Sequence, residues 1–121
     1  MAAKFILRQD GQSRFLVIFQ THSGQVLLTS EVHRHKDIAL SQISATRTLA
    51  KNTKNYEQHT EAEGSSYFMI KNARGEVLAL SNMYPDAASM LQGIKLVKMN
   101  ARGARLEDLT VPQRPAKPRG Q

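Results

Sequence analysis

Residues Tyr67–Ala101 read YFMIKNARGEVLALSNMYPDAASMLQGIKLVKMNA, and Leu16–Ala50 repeat the plan as LVIFQTHSGQVLLTSEVHRHKDIALSQISATRTLA. Gly24 aligns with Gly75, Val26 with Val77, Ser30 with Ser81 and Ile43 with Ile94. Every pair keeps one offset (75 − 24 = 51, 94 − 43 = 51). A fixed offset without gaps is the mark of an internal duplication, so the fold is a question about one unit and its copy.

In the first copy, Lys4–Arg8 is a short β-prone run, followed by Asp10-Gly11, a strong turn signal between strands. Phe15–Gln20 is β-branched and aromatic, which suits a strand. Thr21–Gly24 is a four-residue turn whose glycine takes the positive-φ position that a Cβ resists. Val26–Ser30 is the third strand, and connections this short permit only an antiparallel meander. Ala39, Leu40, Ile43 and Thr46 then recur at helical spacing, continued by Leu49 and Ala50, with the helix ending near Asn52.

The second copy repeats this with strands at Tyr56–Thr60, Tyr67–Lys71 and Val77–Leu80. Its helix starts behind Asp86, a good N-cap, whereas His35 at the matching place is a poorer one. Met90, Leu91, Ile94, Val97 and Ala101 make the apolar stripe. Gly93 interrupts it, where Ala would favour a helix by ~1 kcal/mol. Close approach of a strand or of the other helix would account for the glycine. A last run, Ala104–Leu109, stands where a third copy would begin and is expected to be a closing strand.

The totals bound the rest. The chain has 121 residues, one domain's worth, expected to span residues 1–110 as two repeats (about 4–54 and 55–110). From residue 111 it reads VPQRPAKPRGQ, too poor in apolar residues to fold alone, and is expected to be a disordered basic tail. There is no Cys, which excludes disulfides, thiolate metal ligands and a Cys nucleophile. No apolar run approaches the ~20 residues of a membrane helix, and the N-terminal patch is too short for a secretory signal, so a cytoplasmic location is expected. Net charge is +7, of which Arg114, Lys117 and Arg119 contribute +3 without an acid. Such a balance attracts nucleic acid by counterion release, and equally serves plain solubility.

At GEVLALSNMY, the helix with GIKLVKMNA, and LEDL, the sequence resembles the YegP-like family of small bacterial tandem-repeat proteins of unknown function. The resemblance covers about Phe5 to Thr110. Asn72, Gly75, Glu76, Val77, Ser81, Met83, Tyr84, Gly93, Ile94, Val97 and Asn100 fall on its recurrent positions. The first copy departs from it, with His33 where the family shows Tyr and Gln42 where it shows Gly. The resemblance implies units that join into one sheet and exchange their final strands. It carries no activity.

Three sets of residues invite chemistry. His33, His35 and Asp37 have metal-ligand character, but a site needs further ligands, and Tyr84, Asp86 and Ala88 replace them in the second copy. A polar loop before a helix is the simpler account. Ser30 and Ser81 recur in both copies without a G-x-S-x-G or S-x-x-K context, which suits a strand-end hydrogen bond better than a nucleophile. Arg47 and Lys98 are equivalent, as are Lys51 and Arg102. With Lys95 they are placed on the solvent side of the helices, where helices packed side by side would form a two-fold basic surface able to grip phosphates. Cations complementing helix C-termini are the plainer reading.

The expected fold is α+β: two tandem β-β-β-α repeats in one antiparallel sheet, pseudo-two-fold, helices on one face, and the C-terminal strand exchanged between repeats. No enzyme, cofactor or metal is expected. The leading function is a non-enzymatic binding or interaction module, with a protein partner or a second copy of the chain and no membrane. The alternatives are a non-specific nucleic-acid binder through Arg47, Lys51, Lys95, Lys98, Arg102 and the tail, and an enzyme with a site between the repeats.

Overall fold

Phe15, Val17 and Phe19 alternate with half-buried Leu16, Ile18 and Gln20, the period-two pattern of a strand with one face in a core. The same alternation recurs at Phe68 and Ile70. The structure is a computed structural model that describes residues 3–110. The strands are β1 (Lys4–Gln9), β2 (Phe15–Gln20), β3 (Val26–Ser30), β4 (Tyr56–Thr60), β5 (Ser66–Lys71), β6 (Val77–Leu80) and β7 (Arg105–Asp108). The helices are α1 (Lys36–Leu49) and α2 (Ala87–Asn100). The tail read from residue 111 lies outside the described residues.

The strands form one seven-stranded sheet in the order β4-β5-β6-β3-β2-β1-β7. Each meander is antiparallel, and the two join at β3 and β6 through Thr29↔Leu80 and Ser30↔Ala79. The sheet is mixed rather than wholly antiparallel. β7 lies parallel to β1, with Lys4↔Arg105 and Phe5↔Leu106 in register. The reason is the connection: α2 lies between β6 and β7, and a helical crossover can return the chain in the direction of β1.

One core cluster takes side chains from both meanders and both helices, among them Phe5, Phe19, Leu28, Phe68 and Ile70 with Ala39, Ile43, Met90, Ile94 and Val97. A β-bulge recurs in both copies, at Phe19/Gln20 and at Ile70/Lys71. It leaves Leu27 and Leu28 both buried, and likewise Leu78 and Ala79. Ile43 and Ile94 are buried as the helical periodicity requires. Leu40 and Leu91, placed on the same stripes by spacing, are instead exposed at 37% and 50%. A helix lying on a sheet buries only a narrow stripe, and these two sit one position, or about 100°, from its centre.

The turns follow their residues. Gly24 and Gly75 have φ of 97° and 82°. In the first hairpin the left-handed residue is Ser13 (φ 62°), not Gly11; its counterpart in the second copy is Gly64 (φ 103°). Asp10 organises that turn, its Oδ1 accepting from the backbone N–H of Gln12 and Arg14.

Candidate functional site

Of Arg47 and Lys98, both expected on the solvent side of the helices, Lys98 is exposed and Arg47 is turned toward the end of the other helix. Arg47 is half-buried. Its Nη1 donates to the carbonyl oxygens of Ala101 and Arg102, both at 3.2 Å, and to that of Ala104. Its guanidinium lies 4.9 Å from the centre of the Phe5 ring. Lys98, its counterpart in the second copy, donates from Nζ to Thr53 Oγ1 at 2.7 Å, and Thr53 is the counterpart of Ala104. Each helix thus sends one cation to the chain just beyond the other helix's end. Both cations complement the negative end of a helix dipole, and Arg47 also answers open carbonyls beyond α2.

Lys51, Lys95 and Arg102 are exposed, and none of the ion pairs among the described residues includes them. No acid occurs between Asp37 and Glu57 or between Asp86 and Glu107, so Lys54 and Arg105 join the same acid-free stretches. Of the five basic residues singled out from sequence, one is turned inward, one is tethered by a single hydrogen bond, and three are free for a partner.

The repeated serines serve the backbone. Ser30 Oγ accepts from Val17 N–H (2.9 Å) and donates to Glu31 O (2.8 Å). Ser81 Oγ does the same between Phe68 N–H (2.9 Å) and Asn82 O (2.8 Å). Both hold a strand end, and both hydroxyl protons point at carbonyls. His33, His35 and Asp37 serve separate local roles. His33 pairs its backbone with Phe15, His35 is the N-cap of α1 without a side-chain bond, and Asp37 accepts from Ile38 N–H. No group of three metal-ligating side chains occurs among the described residues.

Gly93 is explained by a side chain rather than by a strand or the other helix. A Cβ there would lie 2.1 Å from Tyr84 Oη and 2.6 Å from its Cζ. The phenol is half-buried, and burial raises its pKa. In the first copy the equivalent pair is His33 and Gln42, which line a cleft of about 400 Å³ with Glu31, Glu76, Val77 and Leu78. His33 Nε2 and Gln42 Oε1 are buried without a hydrogen-bond partner, as is Tyr84 Oη. Each such atom costs ~1–3 kcal/mol when left unmatched. Glu76 Oε1 accepts from Asn72 and Arg74, which hold its pKa below the usual range. The sequence signal for this cleft is its pair of departures from the duplicated pattern, His33 and Gln42.

A small α+β domain built of two joined meanders, with a cationic helix junction and a polar cleft, is the class that this geometry defines. Residues 62–108 match a family model described as a domain of unknown function (DUF1508). The UPF0339 protein YegP of Escherichia coli is 32% identical over 110 residues, covering 91% of this chain and all of the relative. A UPF0339 protein of Pseudomonas aeruginosa is 31% identical over 89% of this chain and 98% of its own length. The solution NMR structure of yegP from E. coli, a protein of unknown function, superposes with a TM-score of 0.85 at 30% identity, covering 93% of this chain and 97% of that one. That of a Shewanella oneidensis UPF0339 protein also gives 0.85, at 27% identity, covering 91% and 93%. The chain belongs to the UPF0339 family of YegP-like proteins.

Proposed function

We propose that the chain is a small non-enzymatic binding module whose docking surface is the cationic junction of the two helix ends. One observation carries this reading: Lys51, Lys95 and Arg102 stay exposed and unpaired after Arg47 and Lys98 have met the needs of the helix termini. Charges beyond those that the fold uses are available to an anionic partner. The spent hydroxyls of Ser30 and Ser81 favour binding over acyl-transfer chemistry. The β7–β1 pairing favours the tandem arrangement in which a strand following α2 completes the other meander. The enzyme reading has its best location in the cleft beside Gln42, between the meanders.

Among anionic partners, nucleic acid is the second reading, favoured by the acid-free stretches beside β4 and β7. No base-reading motif accompanies them, so binding would be to phosphates and indifferent to sequence. Random-sequence duplex DNA and RNA, titrated at about 50 and 200 mM salt, test it. A nucleic-acid binder loses affinity steeply with salt, and Lys51→Glu with Arg102→Glu abolishes its binding. A module for an acidic protein shows no nucleic-acid binding at either salt. Capture of its partner from lysate then depends on the same two residues.

A further inference from the structure

We propose that the sheet face turned away from the helices is a self-association surface, on which a second molecule of this chain stacks sheet to sheet. It is a different surface from the basic helix junction and is independent of that reading. The core shared with both helices takes Phe15, Val17 and Phe19 of β2 and Phe68 and Ile70 of β5. The alternate side chains, among them Leu16 and Ile18 of β2 and Tyr67 and Met69 of β5, point the other way. A sheet face left to water carries polar residues at such positions, whereas the middle of this one is apolar. The ladder register sets Glu57, Met69, Leu80, Thr29, Ile18 and Ile6 side by side across six strands. Leu80, at the middle of the row, is 44% exposed. With Met69 and Ile18 it makes an apolar band, the form that marks an interaction surface rather than scattered exposure.

Three features select a second molecule of the same chain as the occupant. The first is shape. β3 and β6 pair only through Thr29↔Leu80 and Ser30↔Ala79, and beside these pairs their seam opens as a hollow of about 220 Å³ walled by Thr29, Val77, Leu80 and Asn82. A two-fold axis along this seam, parallel to the strands, lays β4 of one molecule over β1 of the other and turns each Leu80 toward the other's hollow. An exposed leucine beside a hollow that accepts one is a self-complementary surface, as a two-fold interface requires. The second is charge. The ionic groups beside the band are already matched within the molecule, Lys71 with Glu57 and Lys4 with Glu107, both at 2.6 Å. Stacking therefore leaves no unpaired charge in the middle of the contact. The third is area. Six overlapping strands of about five residues, at ~4.8 Å spacing and ~3.3 Å rise, bury roughly 1,000 Å² in a stacked pair, where specific interfaces begin.

The test is sedimentation equilibrium of the full chain at about 150 mM salt, from about 5 μM to 1 mM. A monomer–dimer equilibrium with Kd below about 1 mM is expected. Leu80→Lys sets a charge at the seam of each molecule and is expected to raise Kd at least about tenfold while keeping the melting temperature, since Leu80 is exposed. Leu91→Lys is the control on the helix side, at a leucine 50% exposed, and is expected to leave association unchanged. Should Leu80→Lys fail to fold, the isotope-labelled natural chain gives the second measurement. On dilution, the Ile18, Thr29 and Met69 amide resonances are expected to shift and those of α1 and α2 to stay. A monomer throughout the range, equal weakening by Leu80→Lys and Leu91→Lys, dilution shifts confined to the helices, or association lost on removal of residues 111–121 overturns the proposal.

Discussion

Ser13 holds a left-handed conformation that Gly64 holds in the second copy. A side chain in that region costs ~1–2 kcal/mol relative to glycine, less what Ser recovers by ordering the unfolded chain. Ser13→Gly is therefore expected to raise stability by up to about 1 kcal/mol in urea unfolding. Gly93 goes the other way. Helix propensity alone favours Gly93→Ala by ~1 kcal/mol, but the new Cβ meets the Tyr84 ring, and overpacking of this kind costs ~1–3 kcal/mol. A net loss is expected, and Tyr84→His, the first copy's own solution, is expected to recover it. Ile43→Ala or Ile94→Ala should each cost roughly 2–5 kcal/mol by the same assay. The buried isoleucines and turn glycines were legible because they obey local periodicity and backbone sterics. The Tyr84–Gly93 contact was not, since nothing in a glycine's neighbours along the chain says which distant ring rests on it.

Among the elements, β7 is held by two ion pairs as well as by its ladder to β1. Lys4 Nζ lies 2.6 Å from Glu107 Oε1, and Lys36 Nζ 2.7 Å from Asp108 Oδ2. The hydrogen bond from Lys36, followed by that from Thr110, lowers the Asp108 pKa to about 2, from a normal 3.8. A carboxylate with a depressed folded pKa stabilises the fold above its unfolded value and loses that contribution as pH falls through the folded one. β7 amides are thus expected to exchange faster as pH drops from about 4 to 2, after correction for intrinsic rates, while β2 stays protected. Asp108→Asn should reduce the dependence, leaving the part due to Glu107, whose pKa the hydrogen bond from Lys4 also lowers. α2 starts at Asp86, whose Oδ1 accepts from Ser89 N–H at 2.8 Å, and Asp86→Ala should cost about 1 kcal/mol. Asp86 and all the strands were visible in the sequence. The parallel sense of β7 was not, because it depends on where the crossover from α2 lands.

At the scale of the whole molecule, the sheet ends in β4 on one side and β7 on the other. Both are short and charged, bearing Glu57 and His59 in β4 and Arg105, Glu107 and Asp108 in β7, which discourages edge-to-edge association. Deleting Arg105–Thr110 would expose the edge of β1, whose Phe5, Ile6 and Leu7 are buried. The shortened chain is expected to melt lower and to aggregate, with light scattering rising in proportion to concentration. The recurrence of one sequence pattern at a fixed offset made the strands and helices countable from the sequence. The inward turn of Arg47 was hidden, because its partners are backbone carbonyls far along the chain, those of Ala101, Arg102 and Ala104.

The pairing of β1 with β7 also governs timing. Lys4 and Arg105 are register partners, so this part of the sheet awaits nearly the last described residues. Closing so long a loop adds little to the equilibrium cost, since that grows only with the logarithm of length, but contacts this distant in sequence form slowly. On a ribosome, the second copy must emerge before β1 is flanked on both sides. Until then the first meander carries an open apolar edge, the moment at which a chaperone would find the most to hold.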